Sequence, residues 1–432
     1  MKLDTKWLAI FIIILQATHL FVPVAMYAGL GGASLVSAAL TLLSAIYIYK
    51  GKRFLGVAVN HKIFVLWLIA ILILPLLIIL IQVLANPNSE SNFYWIRNII
   101  GYSALFIMAV IFAIKSGEDL VKKVYISLAL IIGVSFLINI IFPQIIYQNL
   151  RFLNIRIGII TGGRPTGFFP HMNTAALSSV CIMFVLMVLK SRYEYLTRLA
   201  VALSFLVIIM TGSRTSLLLA LIIIFGVTVR SFKDAQNIRL LAKLYFKAVF
   251  LIFAASFCIY ILYRFTANPA IQQSMQRMFT ALQFVTGNQV ADASLSIRGG
   301  VLDYYFNLSM ERPFLGFGPN ITESVVDAGK VSNVSQNLWL QWAVEYGYFY
   351  VLFVAACTIN GILSSNFMVR SFLILFVFMS FSFVQIFFVR AFLVTFGIII
   401  GLSIRKRMDV QQSASAQVIS GPQTSLPTQE AS

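Results

Sequence analysis

Acidic residues, cysteines and histidines are scarce in this 432-residue chain: 14 aspartates and glutamates stand against 32 lysines and arginines, with three cysteines and three histidines. Cys181, Cys258 and Cys357 all fall inside apolar runs, so the sequence offers neither a disulfide framework nor a metal-ligand spacing. No Asp-x-Asp cation motif occurs in the loops assigned below to the outer side. The acids there, Asp292, Asp303, Glu311, Glu323 and Asp327, are scattered, and neither a metal site nor a cofactor is expected. No nucleophile stands beside a base and no filter-like stretch occurs, which disfavours protease and channel. The formal net charge is +18. In a soluble protein such a surplus points to nucleic acid, but 60% of these residues are hydrophobic and the charge sits beside anionic lipid headgroups, so no nucleic-acid partner is expected.

What the chain has in abundance is apolar length. Runs at 7–27, 29–49, 63–85, 98–114, 124–142, 174–189, 217–229, 248–263, 338–359, 372–389 and 391–404, with a shorter one at 199–210, predict an all-α, polytopic membrane protein of about twelve spans. An N-terminus on the cytoplasmic side places nearly every lysine-bearing loop on that side, and the even count returns the C-terminus there. The first run follows MKLDTK and resembles a cleaved signal, with small residues near Ala25 and Ala28, but a retained anchor is the favoured reading. Residues 1–263 then hold nine spans, including an outer loop at 143–173. Residues 264–337 form a long outer loop, 338–404 the last three spans, and 405–432 a Ser-, Gln-, Thr- and Pro-rich tail expected to be disordered.

In that topology the outer cations are almost all arginine: Arg97, Arg151, Arg156, Arg164, Arg214, Arg264, Arg277, Arg298, Arg312 and Arg390, with Lys330 the lone lysine. Inner loops read KGKR from Lys50 and RKR from Arg405. Orientation explains the inner lysines but not an outer preference for the planar, always-charged fork that grips carboxylate and phosphate bidentately. The asymmetry points to an outer site for an anionic group.

Three outer elements carry candidates. RPTGFFPHMN, from Arg164, precedes a membrane helix with Asn173 as the expected N-cap; Arg164 and His171 beside a helix N-terminus make an anion seat, or else the segment is a Pro/Gly loop held by interfacial aromatics. MTGSRTS, from Met210, follows a run too short to reach the far boundary, so Arg214 either sits at depth facing a ligand or snorkels as a cap. In the long loop, 271–282 has the spacing of a surface helix, which either lies on the membrane or packs under the loop. A second helix from Ile297 through Met310 puts Arg298 in its first turn and stops near Pro313, before GFGPN and SQNLWLQWAVEYG.

This last block resembles the O-antigen polymerase and O-antigen ligase superfamily of bacterial envelope glycan assembly. That superfamily shows an Arg opening a helix, a Pro–hydrophobic–Gly–x–Gly turn, and His-Asn before a helix with Leu, Glu and Gly. Arg298, Pro313, Leu315, Gly316, Gly318, Asn337, Leu340, Glu345 and Gly347 fill the pattern here, and RPTGFFPHMN and TGSRTS resemble further segments of it. One position departs: Gln336 stands where the ligase pattern has His. Glutamine cannot act as a general base, which argues for the polymerase branch.

The resemblance implies a polyprenyl-pyrophosphate-linked oligosaccharide substrate at the outer face of the bacterial inner membrane, with flippase and chain-length regulator proteins as partners alongside membrane lipid. Transfer needs charge stabilisation at the departing pyrophosphate, a role suited to Arg214 and Arg298 without a metal. His171, Asp303 and Glu345 are the candidate bases, and Glu345 alternatively pairs with an arginine or faces a cavity. Arg164, Asn173, Arg312, Gln336, Asn337, Asp303 and Tyr304 are the expected substrate-contacting set; Tyr304 and Tyr305 either stack on sugars or pack their helix. The closest rival is a ligase delivering the glycan to lipid A-core or protein. A rival of another class is a lipid-linked oligosaccharide flippase or transporter, against which the two halves show no repeat.

Overall fold

The computed structural model describes residues 5–20, 33–85, 91–142, 165–169, 171–189, 193–233, 293–319, 321–331, 337–381 and 389–419, together with Gln272 and Gln276. Every regular element among them is a helix. In chain order these are α1 (Thr5–Ala17), α2 (Ala33–Lys50), α3 (Lys52–Val59), α4 (Lys62–Leu68), a π-helical turn (Ile69–Ile73), α5 (Leu74–Ala85), α6 (Ser91–Ile141), α7 (Met172–Val188), α8 (Glu194–Thr211) and α9 (Arg214–Lys233). There follow α10 (Ala293–Glu311), α11 (Ile321–Asp327), α12 (Leu338–Tyr346), α13 (Tyr348–Ser364), α14 (Phe367–Ser380) and α15 (Arg390–Ile419).

Among the described residues, three helical stretches are long and apolar enough to cross a membrane: Lys62–Leu84, Trp95–Ile141 and Glu194–Thr211. Shorter apolar helices occupy Thr5–Ala17, Val36–Lys50, Met172–Val188, Arg214–Val229, Tyr348–Ser364 and Phe367–Ser380. The stretch Lys62–Leu84 is continuous only because the backbone widens before Pro75. Proline lacks an N–H and clashes with the carbonyl four residues back, and the π turn at Ile69–Ile73 absorbs both defects. Tyr350 of α13 donates its hydroxyl to the carbonyl of Ala70 in that turn, 3.1 Å away. Gly117, at φ 75°, breaks α6 into two segments, and Arg405 of α15 donates to the Ile114 carbonyl at 3.0 Å just before the break.

The core is the seam between α6 and α15. Gly397 and Gly401 lie against Phe106 and Val110: a Cβ on Gly397 would stand 2.6 Å from the Phe106 carbonyl oxygen, and one on Gly401 would overlap the carbonyl of Val110. Small residues four apart let two backbones approach this closely, and dispersion between them replaces the hydrophobic effect inside lipid. Aromatic rings fill the adjoining space, with Trp67 edge-on to Phe396 at 4.7 Å and Phe372 stacked on Phe396 at 5.7 Å.

Several boundaries differ from the sequence reading. The apolar run 338–359 is two helices divided at Gly347. The helix expected from Ile297 begins four residues earlier, so Arg298 lies in its second turn, not its first. The run 199–210 belongs to the 18-residue α8, roughly 27 Å long at 1.5 Å per residue, which removes the shortness on which a deep Arg214 was argued. Past Met408, α15 continues as helix to Ile419 rather than ending in irregular chain. The run 248–263, the surface helix expected at 271–282 apart from Gln272 and Gln276, and the stretch 143–164 lie outside the described residues.

Candidate functional site

The block from α10 to α13 is built around the end of α12. Asn337 caps its start, accepting from the backbone of Trp339 and Leu340 at 3.0 and 3.2 Å. Gly347, at φ 84° and ψ 167°, ends it after nine residues, leaving its last carbonyls without helical partners. The GFG turn supplies them: Phe317 N–H donates to the Val344 carbonyl at 2.8 Å and Gly318 N–H to that of Glu345 at 3.0 Å. Gln82 of α5 adds a third donor, its Nε2 reaching the Leu315 carbonyl at 2.8 Å and the Glu345 carbonyl at 3.1 Å. Tyr348 N–H closes the junction on the Pro313 carbonyl, 2.7 Å away.

Both glycines are required at this contact. A Cβ on Gly316, φ 65°, would lie 2.5 Å from the Glu345 carbonyl carbon, and one on Gly347 would overlap the Phe314 carbonyl. The Pro–hydrophobic–Gly–x–Gly pattern is therefore a docking turn shaped to an interrupted helix.

Behind the turn lies the Glu345 carboxylate, 2% exposed. One of its oxygens accepts from Thr322 Oγ1 and from Gln341 Nε2, each at 2.9 Å. A buried carboxylate needs such donors to replace water. Tyr305, fully buried on α10, donates to the Thr322 carbonyl at 2.9 Å. Burial first, then the nearby charge of Glu345, pushes its hydroxyl up to about 12. Tyr304 meets the Tyr305 ring edge-on at 5.9 Å, while Asp303 is exposed on the same helix. Exposed Arg312 lies over the Phe317 ring at 4.8 Å, fixing a guanidinium above the GFG turn. Thus Tyr304, Arg312, Asn337 and Glu345 share one neighbourhood, whereas Asp303 lies on the exposed side of α10, away from the Val301, Tyr305 and Leu308 stripe that packs on α12. Arg298 is on its α10 wall by backbone position; its side chain, Gln336 and Arg164 lie outside the described residues.

His171 and Asn173 begin α7 elsewhere, with one correction: His171, not Asn173, is the N-cap. Its Nδ1 accepts from Asn173 N–H at 3.0 Å, so the neutral ring carries its proton on Nε2 and presents a donor there. The preceding loop is tied to α6, where Asn139 Oδ1 accepts from Thr166 and Gly167 N–H at 2.8 and 3.0 Å. Arg214, half-buried, opens α9 after the left-handed Gly212 and the Ser213 hydroxyl bonded to Ser216 at 3.0 Å. Its helix reaches the block through α14: α9 packs on α14, whose Ser380 accepts from Trp339 Nε1 at 2.6 Å.

Sequence reasoning missed Gln82, Gln341 and Thr322. The first two carry a signal, since each is a lone amide in an apolar run and Gln341 sits one turn before Glu345.

Residues 199–355 match the O-antigen ligase family. The match runs from α8 into α13 and takes in Arg214, Arg298 and the whole block around Glu345. It supports the O-antigen ligase/polymerase superfamily for this chain, and the resemblance drawn from the motifs stands. Members of the O-antigen ligase family are glycosyltransferase-like enzymes acting on lipid-linked glycans. No curated protein matches the chain.

Proposed function

We propose that this protein polymerises polyprenyl-pyrophosphate-linked oligosaccharide repeat units at the outer face of the bacterial inner membrane. The observation that carries the polymerase reading is Gln336 where the ligase pattern has histidine. An acceptor sugar hydroxyl attacks the anomeric carbon of the donor, the bond from that carbon to the pyrophosphate oxygen breaks, and the lipid pyrophosphate departs with the electron pair. Arg214 and Arg298 hold that leaving group, since guanidinium forks neutralise developing phosphate charge in a site poor in water. His171 contributes an Nε2 donor rather than a base, because its Nδ1 is committed to the helix cap. Glu345, enclosed by Thr322 and Gln341, shapes the docking turn, and exposed Asp303 is the carboxylate open to an acceptor hydroxyl.

One observation favours a second reading: the family matched is described as O-antigen ligase. A ligase would use the same donor and deliver the chain to lipid A-core or protein. Nothing in the match favours a flippase.

The two are separated by giving purified protein in nanodiscs a lipid-pyrophosphate-linked repeat unit alone, with Arg298→Ala as control. A ladder of longer lipid-linked glycans, absent in the variant, is the polymerase result. No ladder, with transfer once lipid A-core is supplied, assigns the ligase.

A further inference from the structure

Helix α10 has two apolar faces, and one of them is packed. Val301, Tyr305 and Leu308 close on Val325 and Val344 in the block around Glu345. Leu302, Phe306 and Met310 are spaced four apart, so they form one row along the helix, and they are left 38%, 50% and 52% exposed. The next row round the helix, Asp303, Asn307 and Glu311, is exposed and polar. The circumference thus passes from packed core through exposed apolar to exposed polar. Water alone does not account for that division, because a helix facing only solvent would carry polar residues in both outer rows.

The neighbours of the apolar row indicate what it meets. The end of α10 is bound to the head of α13, where the Ser309 and Tyr348 hydroxyls lie 2.8 Å apart and Tyr348 N–H reaches the Pro313 carbonyl. From that point α13 carries exposed apolar side chains, beginning with Phe349 and Leu352. Gln82 ties the same turn to the end of α5 through the Leu315 carbonyl, and α5 presents Leu77, Leu80 and Leu84 to the outside. Helix α5 completes the stretch Lys62–Leu84, which is long and apolar enough to cross a membrane, and α13 is one of the shorter apolar helices. Phe314 and Leu315, exposed in the turn, stand between these side chains and Met310. The outward apolar surface of two bundle helices therefore continues through the turn onto α10. At the same level Arg312, exposed over the Phe317 ring, supplies a cation suited to lipid phosphate.

We propose that α10 is seated in the membrane interface, with the Leu302, Phe306 and Met310 row against phospholipid acyl chains just beneath the headgroups and Asp303, Asn307 and Glu311 facing water. The occupant is lipid of the leaflet that borders the end of α5 and the beginning of α13. The row is about 12 Å long at 1.5 Å per residue, and a helix lying in the interface sinks such a face roughly 5–10 Å into the boundary of headgroups and chains. Exposed large apolar side chains in a contiguous patch mark a membrane or protein contact, and continuity with the outward faces of α5 and α13 selects the membrane. Helix α10 then stands as a plate between the bilayer and the enclosure of Glu345. The proposal concerns lipid contact and does not depend on which glycosyl transfer the protein performs.

The test uses the unaltered full chain, in liposomes and in nanodiscs that hold one copy each, both made of phosphatidylcholine with an aryl diazirine on one acyl chain. Adducts formed on photolysis are mapped to single residues by mass spectrometry, beside a parallel labelling with a water-soluble aryl diazirine. Exposed Leu80 and Leu352 serve as references for lipid, and exposed Gln412 of α15 as the reference for water. We expect Leu302, Phe306 and Met310 to take lipid adducts at about ten times the level of Asp303, Asn307 and Glu311 or more, with the water-soluble probe reversing the order. Labelling of both rows by the water-soluble probe alone overturns the proposal, as does equal lipid labelling of the two rows. Lipid adducts on the apolar row in single-copy discs but not in liposomes overturn it and assign the row to a second copy of the chain. Protection from both probes in both preparations overturns it in favour of another partner.

Discussion

Thr322 gives its hydroxyl hydrogen to the buried carboxylate of Glu345 across 2.9 Å, while its backbone carbonyl receives the Tyr305 hydroxyl. Three helices are thereby joined through one threonine: α10 by Tyr305, α11 by Thr322 and α12 by Glu345. Thr322→Val keeps the shape and removes the donor. A hydrogen bond to a buried carboxylate contributes on the order of 1–3 kcal/mol. The variant should melt several degrees lower in detergent and cleave faster in 312–331 under limited trypsin treatment. An unchanged melt would mean the bond is not formed in solution.

Gly347→Ala should damage the protein more. Its backbone, at φ 84° and ψ 167°, lies in a region open essentially to glycine, which alone costs another residue about 1–3 kcal/mol. The added methyl also meets the Phe314 carbonyl. Gly300→Ala is the control, because its Cβ meets nothing within 4 Å inside α10, and removing a helical glycine is worth about 0.5–1 kcal/mol of stability. Thermal melts should move in opposite directions, and glycan ladders should persist only in the Gly300 variant.

Arg214→Ala and Arg214→Lys should both lower turnover about a hundredfold or more, since lysine keeps the charge but loses the fork that holds two phosphate oxygens. Binding of unlabelled donor should weaken less than turnover falls. Ladder formation should also survive EDTA. Recovery of EDTA-inhibited activity by Mg²⁺ or Mn²⁺ would refute the guanidinium mechanism.

Alkaline pH should loosen the block through Tyr305. Its folded pKa, raised to about 12 from 10.0 by burial and then by Glu345, means the folded form holds a proton that the unfolded form has already lost in that interval. Stability is full below about pH 10 and falls as pH rises toward 12. Phenolate absorbance should follow the melt, and Tyr305→Phe should lack this alkaline loss while being less stable at neutral pH for want of the bond to Thr322.

The helical class was legible because long apolar runs leave few alternatives, and the GFG–Asn337–Glu345 block because its residues are fixed by a close backbone contact. The division at Gly347 was not, since WAVEYGYFYVLF is apolar on both sides and hydropathy passes through the break. The sequence points to Asn173 because histidine is not among the favoured N-caps, yet His171 Nδ1 accepts the N–H two residues on, as a capping oxygen would. Gln82 and Glu345 are separated by 263 positions, and only the folded chain brings the amide to the carbonyl.

Gly347 is at once the last cap of α12 and the first of α13. No slack separates the two helices, so the junction works as a stiff crank: any roll or tilt of α13 is delivered directly to the carbonyl seat of the GFG turn. One residue inserted within α12 ahead of Glu345 would turn that residue by about 100° about the helix axis relative to the Asn337 cap and carry its side chain out of its enclosure, although no residue of the site had been changed.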